Sequence, residues 1–187
     1  MLTIVAVLVA VVGVLCVLNT VLTLGMARRL RTQNELLANP SGSMPGNHFP
    51  PVMRVAGERT SAFSTTTVDG VPVDETFFDA TSTLVGAFSI GCSACEERFP
   101  EFLQFAAAFP GGRERVLALV IGAQGTEEKA ERLKPVATVV VEDTYGGPLC
   151  TSLGAKAYPA LGIIEPGGVV RASGTLIQDV AIALEKV

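Results

Sequence analysis

Residues 1–27, "MLTIVAVLVAVVGVLCVLNTVLTLGMA", carry no charged side chain. About 20 apolar residues cross a bilayer core of roughly 30 Å, so this run predicts a transmembrane anchor over 1–27, with Cys16 as a small apolar filler. A cleaved signal peptide is the rival reading, and Gly25-Met26-Ala27 offers it a small-x-small site. The absence of a positive n-region and an apolar core beyond the usual length of about 7–15 residues favour the retained anchor. In "RRLRTQNELLAN", Leu30, Leu36 and Leu37 among polar residues predict a helical continuation. The stretch "PSGSMPGNHFPPV" then places four prolines and two glycines within Pro40–Val52, the composition of a stiff, irregular linker. The pattern divides the chain into an anchor (1–27), a juxtamembrane helix and linker (28–54) and a folded domain (55–187).

Inside that domain the periodicity changes repeatedly. "SAFSTTTVDGVPVDETF" alternates and breaks at Asp69-Gly70, which predicts a two-residue hairpin. "STLVGAFSI", "RVLALVIG" and "ATVVVED" are continuous apolar runs, as expected of strands buried on both faces. Between them, "EERFPEFLQFAAAF" repeats Phe99, Phe102, Leu103 and Ala106 at helical spacing, with Pro100 expected to kink or open the helix. "TEEKAERLK" opens with Thr126 as a predicted N-cap and acidic residues in its first turn. "GPLCTSLGA" reads as a short helix. "ALGIIE" and "VVRASGT" flank Pro166-Gly167-Gly168 as a second hairpin, and "LIQDVAIALEKV" reads as a closing amphipathic helix. Strands alternating with helices predict an α/β fold with a central mixed sheet flanked by helices.

Charge and composition narrow the function. The net charge of -4 leaves no basic footprint, which excludes nucleic acid as the expected partner. The mean hydropathy of +0.46 is high, and its excess sits in the first 27 residues. The only histidine, His48, falls in the linker, so the folded domain holds neither a Cys-His nucleophile pair nor a histidine-containing zinc site.

The chemistry rests on "GCSACEERFPEF". Cys92 and Cys95 admit three readings. A structural zinc needs four ligands, and only Cys150 and the anchor's Cys16 remain to supply them. Buried structural thiols are the second reading, since a free cysteine packs as a small hydrophobe. Redox chemistry is the third, and it explains more of the pattern. A strand end followed by Cys-x-x-Cys at a helix start puts Cys92 where unpaired amides and the helix dipole favour a thiolate. Cys95, one turn further in, can close a disulfide onto it, giving an attacking and a resolving sulfur. Tyr158-Pro159 stands immediately before a predicted strand; if its peptide is cis, the turn brings the Tyr158 backbone beside the sulfurs. Only about 5–6% of X–Pro bonds are cis, so the residues alone favour trans.

Together these motifs resemble the thioredoxin fold of the membrane-anchored TlpA/ResA-like thiol-disulfide oxidoreductases, a redoxin group that includes the MauD-type proteins. The resemblance spans roughly 55–187 and is carried by "FSTTTVDGVPV", "FSIGCSACEERFPEF", Pro159 and "IIEPGGVVRASG". It implies a thioredoxin-like domain with an extra N-terminal hairpin, Cys92 as nucleophile, Cys95 as resolving cysteine and Pro159 as a cis-proline facing them. It calls for no metal and no cofactor. The implied partners are a protein disulfide or dithiol client and an electron-donor thiol protein. Three departures stand out. Ile90-Gly91 replace the family's tryptophan before the first cysteine, Ser93-Ala94 between the cysteines lack a proline, and Arg98 stands where the family often has glutamate. An arginine near Cys92 would favour its thiolate, unless it points to solvent. Cys150 reads as a packed helix residue, with exchange onto Cys95 as the functional alternative.

Two other functions stay open on this sequence. Ser89, three residues before Cys92, occupies the place of a peroxidase hydroxyl, although Val85 stands where a peroxiredoxin-like enzyme has proline. A redox-silent assembly or binding module is the non-enzymatic alternative. The expected location is a membrane, with one span. Arg28, Arg29 and Arg31 favour a cytoplasmic domain by the positive-inside rule, whereas the resemblance favours the opposite side.

Overall fold

The structure, a computed structural model, describes residues 50–184 and Gly13. Apart from Gly13, the expected anchor and the juxtamembrane stretch up to residue 49, with Cys16 and His48, lie outside the described residues. Among the described residues, no helix is long and apolar enough to cross a membrane.

The three continuous apolar runs form β3 (Thr83–Ser89), β4 (Val116–Ile121) and β5 (Thr138–Glu142), which lie parallel. β6 (Ala160–Glu165) pairs antiparallel with β3, and β7 (Val169–Gly174) antiparallel with β6. The resulting order is β5-β4-β3-β6-β7. Four α-helices accompany the sheet: α1 (Ser93–Ala107), α2 (Glu127–Leu133), α3 (Pro148–Leu153) and α4 (Ile177–Leu184).

The unbroken apolar runs follow from burial on both sides. In β4, Val116, Ala118 and Val120 pack in one core with Phe99 and Phe102 of α1, Leu133 of α2 and Val180 of α4. Leu117, Leu119 and Ile121 point into a second core with Leu149, Cys150 and Leu153 of α3, joined by Met53, Phe63 and Phe78. A strand covered on both faces has no polar alternation to show. Met53 of the predicted linker segment is therefore a core residue, and Arg54 donates its Nε–H to the Ser152 carbonyl at 2.7 Å.

Three local expectations are refined. β1 (Ser64–Thr66) and β2 (Pro72–Asp74) do form an antiparallel hairpin. Its loop holds three residues rather than two, because the Thr67 amide donates to the Val71 carbonyl at 2.9 Å and closes Val68-Asp69-Gly70. Thr126 stands at the N-cap of α2 without a side-chain capping bond; its carbonyl accepts the Ala130 amide at 2.9 Å instead. α1 runs on through Pro100 as one element.

Gly86 fixes how α1 meets the sheet. A Cβ built there would lie 2.5 Å from two ring carbons of Phe102 and 3.0 Å from Phe88. Phe88 in turn meets Phe99 and Phe102 edge-on, with ring centroids 5.2 and 5.0 Å apart. The bare backbone of β3 is the seat for the α1 rings, and α1 begins at the cysteine pair.

Candidate active site

β3 ends at Ser89, and Ile90-Gly91 turn the chain into α1. Gly91 has φ +75°, a conformation that a side chain disfavours. The turn makes Cys92 the N-cap of α1, with φ -92° and ψ 108°; its Sγ accepts the Cys95 amide at 3.1 Å. The two cysteines are joined as a disulfide with Cα atoms 5.2 Å apart. Cys92 is half-buried, whereas Cys95 is fully buried. Only the first sulfur faces outward, as expected of an attacking thiol with a resolving partner behind it.

The opposite wall comes from the far end of the sequence. Pairing of Ala160 with Ala87 brings the residues before β6 to the end of β3. The Tyr158-Pro159 peptide is cis, as the resemblance implied and the residues alone did not favour. The Tyr158 carbonyl oxygen lies 3.4 Å from Cys92 Sγ. In the disulfide this is a contact; once reduced, the Cys92 thiol can donate to it. The Cys95 amide favours the thiolate and the Tyr158 carbonyl favours the protonated thiol, so opposed groups bracket one sulfur.

Cys150 lies beneath this wall, buried and free. Its thiol donates to the Tyr145 carbonyl at 3.0 Å, and its sulfur lies 3.2 Å from the Tyr158 hydroxyl. Burial pushes the Cys150 thiol up, against the pull of the bond to Tyr158. Burial likewise raises the Tyr158 phenol strongly, and the bond to Cys150 adds to that rise. These contacts are those of a packed, neutral thiol.

Three residues that the sequence did not single out complete the surroundings. Glu142, buried at the end of β5, accepts the amides of Leu149 at 2.6 Å and Cys150 at 3.1 Å at the start of α3. Burial raises its pKa; the two amide bonds act in the opposite direction. Buried Lys129 of α2 reaches the first turn of α1, with Nζ 2.8 Å from the Glu96 carboxylate and 4.3 Å from the centre of the Phe99 ring. In "TEEKAERLK" it reads as one more solvated helix cation. Arg98, the cation expected near Cys92, is half-buried and makes no ion pair among the described residues. The third residue, Tyr145, is exposed; its hydroxyl lies 3.0 Å from Ser89 Oγ. The hydroxyl of Ser89, the residue at the peroxidase position, is therefore engaged by Tyr145 and by the Ile90 carbonyl, 3.2 Å away.

Glu142 yields a pH prediction. A carboxyl with a raised native pKa holds its proton more tightly folded than unfolded, so the native state gains stability on the acid side. That gain is lost as pH rises from the ordinary value of 4.5 through the raised native value. Urea midpoints of wild type and Glu142→Gln, compared from about pH 4 to about pH 8, should show wild type losing stability relative to the variant as pH increases. Parallel curves would contradict the assignment.

No protein-family model and no curated protein matches the chain. Solved structures do. A thiol:disulfide interchange protein from a Bacteroides species is 19% identical with a TM-score of 0.54, covering 70% of this chain and 88% of its own. A thioredoxin-family thiol:disulfide interchange protein from Chlorobium tepidum TLS is 18% identical with a TM-score of 0.52, covering 70% and 97%. A thio-disulfide isomerase from Thermus thermophilus is also 18% identical with a TM-score of 0.52, covering 70% and 92%. The described domain has a thioredoxin-like fold with an added N-terminal hairpin, and its Cys-x-x-Cys pair stands at disulfide distance.

Proposed function

We propose that this protein is a thiol-disulfide oxidoreductase acting on protein disulfides, held at a membrane by residues 1–27 through the linker 28–54. The observation that carries the reading is the asymmetry of the pair. Cys92 is half-exposed and N-caps a fifteen-residue helix, while Cys95 is buried behind it.

In the reducing direction, the Cys92 thiolate attacks one sulfur of a client disulfide, and the other client sulfur leaves as a thiolate that takes a proton. Cys95 gives up its proton and attacks Cys92 Sγ, which forms the Cys92–Cys95 disulfide and releases the second client thiol. Two electrons pass from the pair to the client. A donor dithiol protein restores the pair by the reverse steps. Thiolate formation at Cys92 is helped by the Cys95 amide and by the unpaired amides at the start of α1. The main chain at Tyr158, beside Pro159, supplies the edge along which an extended client segment lies. Tethering raises the effective concentration of the site toward other membrane proteins.

The test is reduction of insulin by the full chain in detergent, with dithiothreitol as donor. Faster precipitation of the freed B chain than with dithiothreitol alone is expected, and an unchanged rate would overturn the reading. Labelling of introduced cysteines from each side of the membrane assigns the compartment, which sets the direction of net electron flow.

A further inference from the structure

We propose that Tyr145 determines client specificity at this site: its ring is the surface on which an apolar or aromatic side chain next to the client's reacting cysteine packs. The inference rests on the oxidoreductase reading above and names the client chemistry that reading leaves open.

The chain has no tryptophan and two tyrosines, Tyr145 and Tyr158. Their rings pack with centroids 5.6 Å apart at 42°. Tyr158 is half-buried and reaches Cys92 through its carbonyl. Tyr145 is 64% exposed. Ring packing on Tyr158, the hydroxyl bond to Ser89 and a carbonyl that accepts the Cys150 thiol hold it in place. An exposed ring already fixed loses little freedom when a partner covers it, so more of the contact appears as affinity.

Its position suits a residue beside the reacting cysteine. Once a client sulfur is bonded to Cys92, neighbouring client residues lie about 3.3 to 7 Å along an extended strand. Tyr145 packs on the ring of Tyr158, whose carbonyl oxygen lies 3.4 Å from Cys92 Sγ, and its hydroxyl meets Ser89, three positions before Cys92. Gly91 and Ser93, which flank Cys92, and Ala157, which precedes Tyr158, are exposed, small and uncharged. Of the large apolar side chains exposed among the described residues (Val55, Val71, Tyr145 and Ile182), Tyr145 is the one tied to Ser89 and Tyr158. A client with a charged or minimal residue there leaves the ring in water; an apolar one covers it.

The experiment uses two symmetric peptide disulfides that differ only in the residue preceding cysteine, phenylalanine or glycine. Each is mixed with the reduced full chain, and the second-order rate constants are divided by those for dithiothreitol on the same peptides. The normalised rate should favour the phenylalanine peptide by about tenfold, the scale of one aromatic contact. Tyr145→Phe should keep that ratio and Tyr145→Ala should bring it near one. A wild-type ratio near one, or a full ratio in Tyr145→Ala, overturns the inference. Because wild type alone can give the first of these outcomes, an unfolded alanine variant does not shield it. In the mixed disulfide trapped by Cys95→Ser, NOEs between the Tyr145 ring and the peptide phenylalanine are expected, and their absence overturns it as well. Reduction of both peptides at equal normalised rates would sink the specificity role alone. Reduction of neither would sink the oxidoreductase reading with it.

Discussion

Cys92→Ser is expected to bring insulin reduction by the full chain down to the rate of dithiothreitol alone. A serine hydroxyl stays protonated near neutral pH and cannot form a mixed disulfide, so the first step disappears rather than slows. Neither remaining thiol of the described domain can take its place. Cys95 is buried behind α1's first turn, and Cys150 is buried and engaged with Tyr145 and Tyr158. Cys95→Ser should behave differently: the first attack proceeds, the resolving attack is lost, and a covalent client adduct accumulates. Non-reducing electrophoresis separates the two variants, one with no adduct and one with a stable adduct. Equal turnover in Cys92→Ser and wild type would remove Cys92 from the reaction. An adduct in Cys92→Ser that Cys95 carries would reverse the two roles.

The second large effect concerns the support beneath the site. Phe102→Ala should destabilise the domain by about 3–5 kcal/mol, since it deletes a fully buried ring and leaves a cavity. That is a large part of the roughly 5–15 kcal/mol typical of whole domains, so unfolding midpoints should fall steeply. The ring packs edge-on against Phe88 and lies over Gly86, and together they seat α1 on β3. Gly86→Ala probes the same contact from the other side. Its methyl group would need the place of the Phe102 ring, at a cost of about 1–3 kcal/mol or more. Phe102→Leu, which shortens the obstacle, should reduce the cost of Gly86→Ala, so the two changes should be non-additive. Additive losses in a denaturant double-mutant cycle would mean that the ring does not rest on Gly86.

Both predictions draw on features of unequal visibility. The strands and α1 were legible because burial writes itself into local order. β3 and β4 are apolar at every position because both faces are covered, and Phe99, Phe102 and Ala106 recur at the helical period. The closeness of Cys92 and Cys95 was legible for a different reason, since a contact across one helical turn is a local event. The hairpin loop length was missed by one residue because the Thr67–Val71 pairing depends on register, which Asp69-Gly70 does not specify on its own. Thr126 was placed correctly, but its hydroxyl makes no cap.

What the order of residues determined without help is the alternation of strands and helices and the position of the cysteine pair at a helix start. Tertiary structure alone decided three other contacts, the Lys129 ammonium over Phe99, the Glu142 carboxylate on the first amides of α3 and the Tyr145 hydroxyl on Ser89, whereas the Tyr158 carbonyl beside Cys92 was an expectation conditional on a cis peptide. The physical reason is that hydrophobic periodicity records which face of an element is buried and carries no information about which element buries it. That second choice is made by the strand order β5-β4-β3-β6-β7, which sets residues distant in the chain side by side at one end of the sheet.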